Sequence, residues 1–338
     1  MNDVARKIAL VLVSVVVTLV VAEIALRLVG YGALTPEMSF GVNTRTALEQ
    51  GQFQSDPDLF WKLPARPSQA DQAMKAVHPD QPVPARKAPR RILVLGDSCS
   101  RLSMRTLPYS AQLEDLLWSD GFEVLNASVP GYTTYQGLVW LRTQLLDLKP
   151  DIVVVYFGWN DHWRATGMTD HEYAASRGAG RLRLLELGRR RPEEPPVRVP
   201  LAEYEANLEA IVTEIQAIGA QVVLVAAPHR LTVEATRRLA QTGYILPGEN
   251  PTSLHNQYLK VVRSFAEREG VAVLSADHLM TVMESDQPLL MRDGIHLTDE
   301  AHAIMAAALA ALVRDGTGAN GRVSEELVEA VKKGVNGG

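Results

Sequence analysis

Read for apolar and polar positions, the chain changes character twice. From Ile8 to Val29 it is almost wholly apolar, interrupted only by Ser14, Thr18, Glu23 and Arg27. As a helix rising about 1.5 Å per residue the stretch spans roughly 33 Å, enough to cross a bilayer. Its apolar residues lie on all faces rather than on one stripe, which predicts a transmembrane helix over a buried soluble one. The segment 31–90 then shows little regular period and carries Pro64, Pro67, Pro79, Pro82, Pro84 and Pro89. It reads as a tether, with Phe60, Trp61 and Leu63 docked on whatever follows, because aromatics left exposed on a free linker are a liability.

From Arg91 onward short apolar runs alternate with helical patterns. The runs Ile92 to Leu95, Phe122 to Ala127, Asp151 to Phe157, Gln221 to Ala227 and Val271 to Ser275 predict five strands. Between and after them, Leu107 to Asp120, Thr134 to Leu148, Leu201 to Ile218, Thr252 to Glu269 and a run entered at Thr298 read as helices. Such alternation predicts an α/β fold in three layers, α/β/α, around a doubly wound parallel sheet in the flavodoxin-like order 2-1-3-4-5. The chain thus divides into an anchor (1–30), a tether (31–90), a catalytic domain (91–315) and a flexible tail (316–338). The stretch 162–200 breaks the rhythm; with its Arg-rich and Pro-rich run from Gly188 to Pro196, it is a lid or an insert.

Charge and composition narrow the function. A formal net charge of -5 without a long basic stripe argues against a nucleic-acid partner, because phosphate neutralisation needs clustered Lys and Arg. The single cysteine, Cys99, excludes an intrachain disulfide and a cysteine-based zinc cluster. No metal-binding or phosphate-cradling motif stands out, so neither a metal nor a cofactor is expected. Arg6 and Lys7 precede the apolar helix and only Arg45 follows it within about 20 residues, which puts the N-terminus in the cytoplasm and the catalytic domain outside the cell membrane, in the periplasm or beyond. A cleaved signal peptide competes with the retained anchor, but the small residues Gly30 and Gly32 make a weak cleavage site.

The chemistry gathers at strand ends. Ser98 follows the first strand, Gly131 the second and Asn160 the third, so an open parallel sheet brings all three to one rim. A serine nucleophile needs a base, and His296 lies three residues after Asp293, a spacing that lets the carboxylate hold one ring nitrogen while the other faces the hydroxyl. The N–H groups of Ser98 and Gly131 and the Asn160 amide are candidate oxyanion donors. Trp159, His162 and His229 are candidate pocket residues.

These blocks, Gly96-Asp97-Ser98, Gly131, Gly158-Trp159-Asn160-Asp161 and Asp293-Gly294-Ile295-His296, resemble in order the four blocks of the SGNH, or GDSL, hydrolase superfamily, over roughly Arg91 to Val313. The resemblance implies Ser98 as nucleophile and oxyanion donor, Gly131 and Asn160 as oxyanion donors, His296 as base and Asp293 as third triad member, without a metal. It departs from the family at Cys99, where a large apolar residue is usual, and at Trp159. It implies an esterase cleaving an O-acyl or O-acetyl ester of a glycan or lipid through an acyl-serine. An O-acyltransferase on an envelope or exported polysaccharide, or a non-catalytic binding or assembly protein of the same fold, are the alternatives.

Overall fold

The computed structural model describes residues 3–29, 41–164, 167–178, 182–187, 193–283, 287–315 and 325–336. Helix α1 (Asp3–Leu28) is long and apolar enough to cross a membrane, a description that a signal sequence also meets. Within the segment expected to be a tether with short local structure lie helix α2 (Gly41–Glu49), an antiparallel pair β1 (Gln54–Asp56) and β2 (Phe60–Lys62), and helix α3 (Gln69–Ala73). Ser68 and Asp71 close a reciprocal cap on α3. Phe60 sits at φ 69°, in the left-handed region, and is completely buried between Tyr135 and Tyr173. Burial of the ring offsets the backbone strain.

The five strands of the main sheet are β3 (Arg90–Gly96), β4 (Phe122–Ser128), β5 (Ile152–Tyr156), β6 (Gln221–Ala226) and β7 (Ala272–Ser275). All pair in parallel in the order β4-β3-β5-β6-β7, which is the expected 2-1-3-4-5. Ile92 to Leu95 are fully buried, as a central strand covered on both faces requires. Gly96 is in register with both Ser128 and Tyr156, so three strands end level and their following loops share one rim. At the opposite end Arg91 is buried against Glu123 and also donates to the carbonyls of Leu148 and Pro84, so the buried charge keeps its partners.

The connecting helices are α4 (Tyr109–Leu117), α5 (Thr134–Thr143), α6 (Asp170–Gly178), α7 (Leu201–Ala217), α8 (Val233–Gln241), α9 (Pro251–Glu269), α10 (Ala276–Met283) and α11 (Asp299–Arg314). Helix α4 packs on α11, while α7 packs on α5 and α9, forming the outer layers. The expected helix from Thr134 to Leu148 is in fact two pieces. Gln144 leaves helical geometry at φ −149°, and a 3-10 turn over Leu145–Leu148 ends at Lys149 in the left-handed region.

Two further segments lie outside the strand-and-helix rhythm. In the tail, helix α12 (Glu325–Asn336) docks on α11 and buries Leu327 and Val331, so its apolar face has a partner that its short period did not reveal. The stretch 162–200 is an insert tied at its base: Val199 N donates to Asp161 O, Arg198 N to Trp163 O and Asp170 N to Arg198 O. Its arginine run, Arg189 to Arg191, lies outside the described residues.

Candidate active site

Strand β3 ends at a glycine for a steric reason. A Cβ on Gly96 would lie 2.7 Å from Ser100 Oγ and 2.9 Å from the Tyr156 carbonyl, so only hydrogen fits. Asp97 then caps the 3-10 turn Ser98–Ser100 by accepting from Cys99 N at 2.8 Å. The turn leaves Ser98 partly exposed between Asp97 and Cys99, which are buried. Burial pushes the Cys99 thiol well above its ordinary pKa, so it stands as a packed neighbour and not a second nucleophile.

His296 reaches Ser98 from the far end of the sequence. Its Nε2 lies 2.9 Å from Ser98 Oγ and its Nδ1 2.6 Å from Asp293 Oδ2. With a carboxylate at Nδ1, that nitrogen carries the proton and Nε2 presents a lone pair to the hydroxyl. The Asp293–His296 loop is closed by Asp293 Oδ1, which accepts from Ile295 N and His296 N at 2.9 and 3.0 Å. Partial burial raises the Asp293 pKa, but the bond to His296, its charge and those two N–H donors win and hold it at about 2. The loop is also fixed from behind. Gly294 has φ 73°, and a Cβ there would meet Arg230 O at 2.2 Å, the same backbone that donates from Arg230 N to Gly294 O.

Gly131 is held by longer reaches. Pro130 O accepts from the indole Nε1 of Trp61 at 3.1 Å, Gly131 O from Arg198 Nη1 at 2.6 Å and Tyr132 O from Asn160 Nδ2 at 3.0 Å. Three consecutive carbonyls are thereby pinned. In a trans peptide the N–H points opposite to the carbonyl of the preceding residue, so the indole on Pro130 O turns Gly131 N–H away from Trp61. Arg198 itself is buried, bonded to both carboxylate oxygens of Asp170 at 2.9 Å and to Gln136 at 2.7 Å. Gln136 in turn closes the cap of α5 with Thr133.

Asn160 Nδ2 spends its second proton on Asp97 Oδ2 at 2.8 Å. Burial pushes the Asp97 carboxyl up to about 6, against the opposing pull of Cys99 N–H, of His296 and of Asn160. Both amide hydrogens of Asn160 are therefore engaged, by Tyr132 O and by Asp97. Next to it, Asp161 is fully buried and accepts from Thr134 N at 2.9 Å and Gly158 N at 3.2 Å, bracing the loop; burial raises its pKa to about 7.

The three candidate pocket residues separate. Trp159 is 2% exposed and stacks on His255 with centroids 3.8 Å apart, and His162 is 0% exposed. Both are buried in the wall behind the rim. His255 Nε2 donates to Ala227 O, so its Nδ1 accepts from His162 Nε2 at 3.0 Å. Burial takes His162 down to about 3 and His255 well below its ordinary value, leaving both rings neutral. His229 keeps partial exposure and lies 2.9 Å from Asn256 Oδ1. An open cleft of about 1200 Å³, lined among others by Met104, Arg230 and Arg292, borders the outer side of Asp293.

Residues 94–304 match the model of the GDSL-like lipase/acylhydrolase family, well over half of the chain. The chain belongs to that family. As a GDSL-like protein it is a serine ester hydrolase, and the sequence resemblance is confirmed. It is 24% identical over 231 residues to the isoamyl acetate-hydrolyzing esterase 1 homolog of Bos taurus, covering 66% of this chain and 81% of the relative. Similar solved structures include the lipase/acylhydrolase from Enterococcus faecalis (22% identity, 67% of this chain and 96% of that one, TM-score 0.47). Another is an acetylxylan esterase from Geobacillus stearothermophilus (21% identity, 68% and 95%, TM-score 0.46). Trp61 lies before the GDSL-like match begins. Its docking was legible as an aromatic pair in a polar tether, whereas nothing in the sequence ties Arg198 or Asp170 to Gly131.

Proposed function

We propose that this GDSL-like hydrolase uses Ser98, His296 and Asp293 as a catalytic triad to cleave an O-acyl, foremost an O-acetyl, ester carried by a glycan or lipid. The observation that carries the reading is the unbroken path from Asp293 Oδ2 through both nitrogens of His296 to Ser98 Oγ, joining groups 198 residues apart in sequence. Ser98 Oγ attacks the ester carbonyl carbon as its proton passes to His296 Nε2. Negative charge on the carbonyl oxygen is met by the N–H groups of Ser98 and Gly131 and by the Asn160 amide. The imidazolium returns the proton to the departing alkoxide, leaving an acyl-Ser98 ester. Water then attacks that carbonyl, His296 taking the water proton and giving it back to Ser98 Oγ as the acid departs. Asp293, held anionic, stabilises the imidazolium in both halves.

The acetyl preference is supported by the bovine relative, whose name specifies an acetate ester. An extracytoplasmic site is supported by α1 together with the basic pair Arg6 and Lys7 before it and the scarcity of positive charge after it. The direct test is labelling of the full-length protein with a fluorophosphonate, together with release of p-nitrophenol from its acetate ester. An adduct on Ser98 that disappears in Ser98→Ala supports the triad; acetate hydrolysis undiminished in Ser98→Ala overturns it. Added oligosaccharide that takes up the acetyl group faster than water does would reassign the enzyme as a transferase.

A further inference from the structure

Glu23 is the buried residue of α1, and the insert buries it. Leu184 N donates to Glu23 Oε2 at 3.0 Å, from the 3-10 turn Arg183–Glu186, while Arg27 Nε takes Glu23 Oε1 at 2.7 Å. Ala22 and Leu26, on the same helix face, are partly covered as well. The turn that makes this contact turns three leucines outward: Leu182 is 50% exposed, Leu185 68% and Leu187 56%. So many large apolar side chains on six residues are a liability in water and ordinary at a lipid surface.

Helix length sets the depth of the contact. A hydrocarbon core of about 30 Å takes about 20 helical residues. Counted from Ile8, the outer boundary falls near Arg27, and Glu23 lies four residues, roughly 6 Å, on the inner side of it. A carboxylate at that depth needs partners from within the protein, and both Glu23 oxygens have them. The donor on one side is backbone of the insert, so the turn shares the depth of the acid. Its own backbone closes internally, Leu185 N on Leu182 O at 3.1 Å and Leu187 N on Leu184 O at 3.3 Å, as a low-dielectric setting demands.

From this juxtaposition we infer that residues 182–187 form a second membrane contact, a foot that seats Leu182, Leu185 and Leu187 among the outer-leaflet acyl chains beside α1. The partner is the lipid bilayer itself, because the exposed leucines continue the lipid-exposed surface of α1. The inference rests on the reading of α1 as a retained anchor. The foot adds a second fixed point beside α1, so the domain is held at a set height over the bilayer.

Full-length protein in phosphatidylcholine vesicles tests it, with an environment-sensitive NBD fluorophore on single cysteines; Cys99 is buried and stays unlabelled. Leu185→Cys is the probe for the foot, Val16→Cys for the middle of α1 and Val233→Cys, 79% exposed on α8, for the water-facing domain. The foot predicts blue-shifted emission at position 185, quenched more strongly by lipid bearing a nitroxide at acyl carbon 5 than at carbon 12. Position 16 should show the reverse order of quenching and position 233 none. Quenching at 16 with a water-like spectrum at 185 overturns the foot and leaves the anchor standing. A blue shift at 185 without lipid quenching means that protein, such as a second copy, covers the leucines, which also overturns it. No quenching at 16 removes the anchor and the foot together.

Discussion

The corner that holds Ser98 and His296 and the loop that carries Gly131 sit on one rim, yet they are held by different means. At the corner near neighbours close the turns, Asp97 capping the turn of Ser98 and Asp293 bonding to the two residues that follow Gly294, with Arg230 as a more distant brace. Around Gly131 the partners come from elsewhere, Trp61 from the pair of strands before the domain and Arg198 from the far end of the insert. Local turns can be inherited as short motifs. A loop held at long range depends on residues far from it in sequence, of which Trp61 precedes the family match and Arg198 lies within it.

The comparison can be broken by substitution. The largest effect belongs to the corner: Ser98→Ala should lower kcat for an acetate ester by about 10³-fold or more while thermal unfolding stays unchanged, since the residue supplies chemistry and little packing. A comparable loss of unfolding midpoint would place Ser98 in the fold instead. Next comes Arg198→Met, which strands the buried Asp170 carboxylate. Removing one partner of a buried pair costs about 3–5 kcal/mol, so urea unfolding should move strongly and activity should fall with it. If stability holds, the long-range half is not braced as described.

Trp61→Phe is the sharper probe. It keeps an aromatic body and removes the indole N–H from Pro130 O, so kcat should fall about 10-fold with KM nearly constant, because the proposed oxyanion role engages Gly131 N–H in the transition state and not in the ground state. Affinity for a boronate transition-state mimic should fall by the same factor. Loss of KM alone would make Trp61 a packing residue. The smallest effect concerns Asp299, which accepts from the N–H groups of Met104, Arg105 and Thr106 and from the Thr106 hydroxyl, tying the loop after the nucleophile to α11. These bonds hold its carboxyl well below the usual range. A lowered folded-state pKa gives stability that is present above about pH 4 and lost as pH falls below it. Asp299→Asn should flatten that acid limb of the unfolding curve with little change in kcat at neutral pH.

The same division explains what could be read from the amino acids. Ser98, Gly131, Asn160, Asp293 and His296 were visible because strand ends and turn residues mark their positions, and the strand order followed from alternation alone. Trp159 and His162 follow a strand end, where pocket residues gather, yet both are buried. What buries them is His255 on α9, about a hundred residues later, and a stacking partner leaves no periodic trace. The tail shows a weak helical stretch from Ser324 to Lys333 in the sequence, but not its docking, because a short amphipathic stretch does not name the surface it covers.

Gly294 carries a consequence for how this enzyme can vary. Since any β-carbon there runs into the Arg230 carbonyl, a library of all substitutions at this codon should lose every alternative under selection for activity, alanine included. Neighbouring Arg292 is exposed and free to drift. The acid and base of the proposed triad thus hang from a position with an alphabet of one letter, and lineages that diversify this enzyme must do so around that residue, by changing the Arg230 side of the contact or not at all.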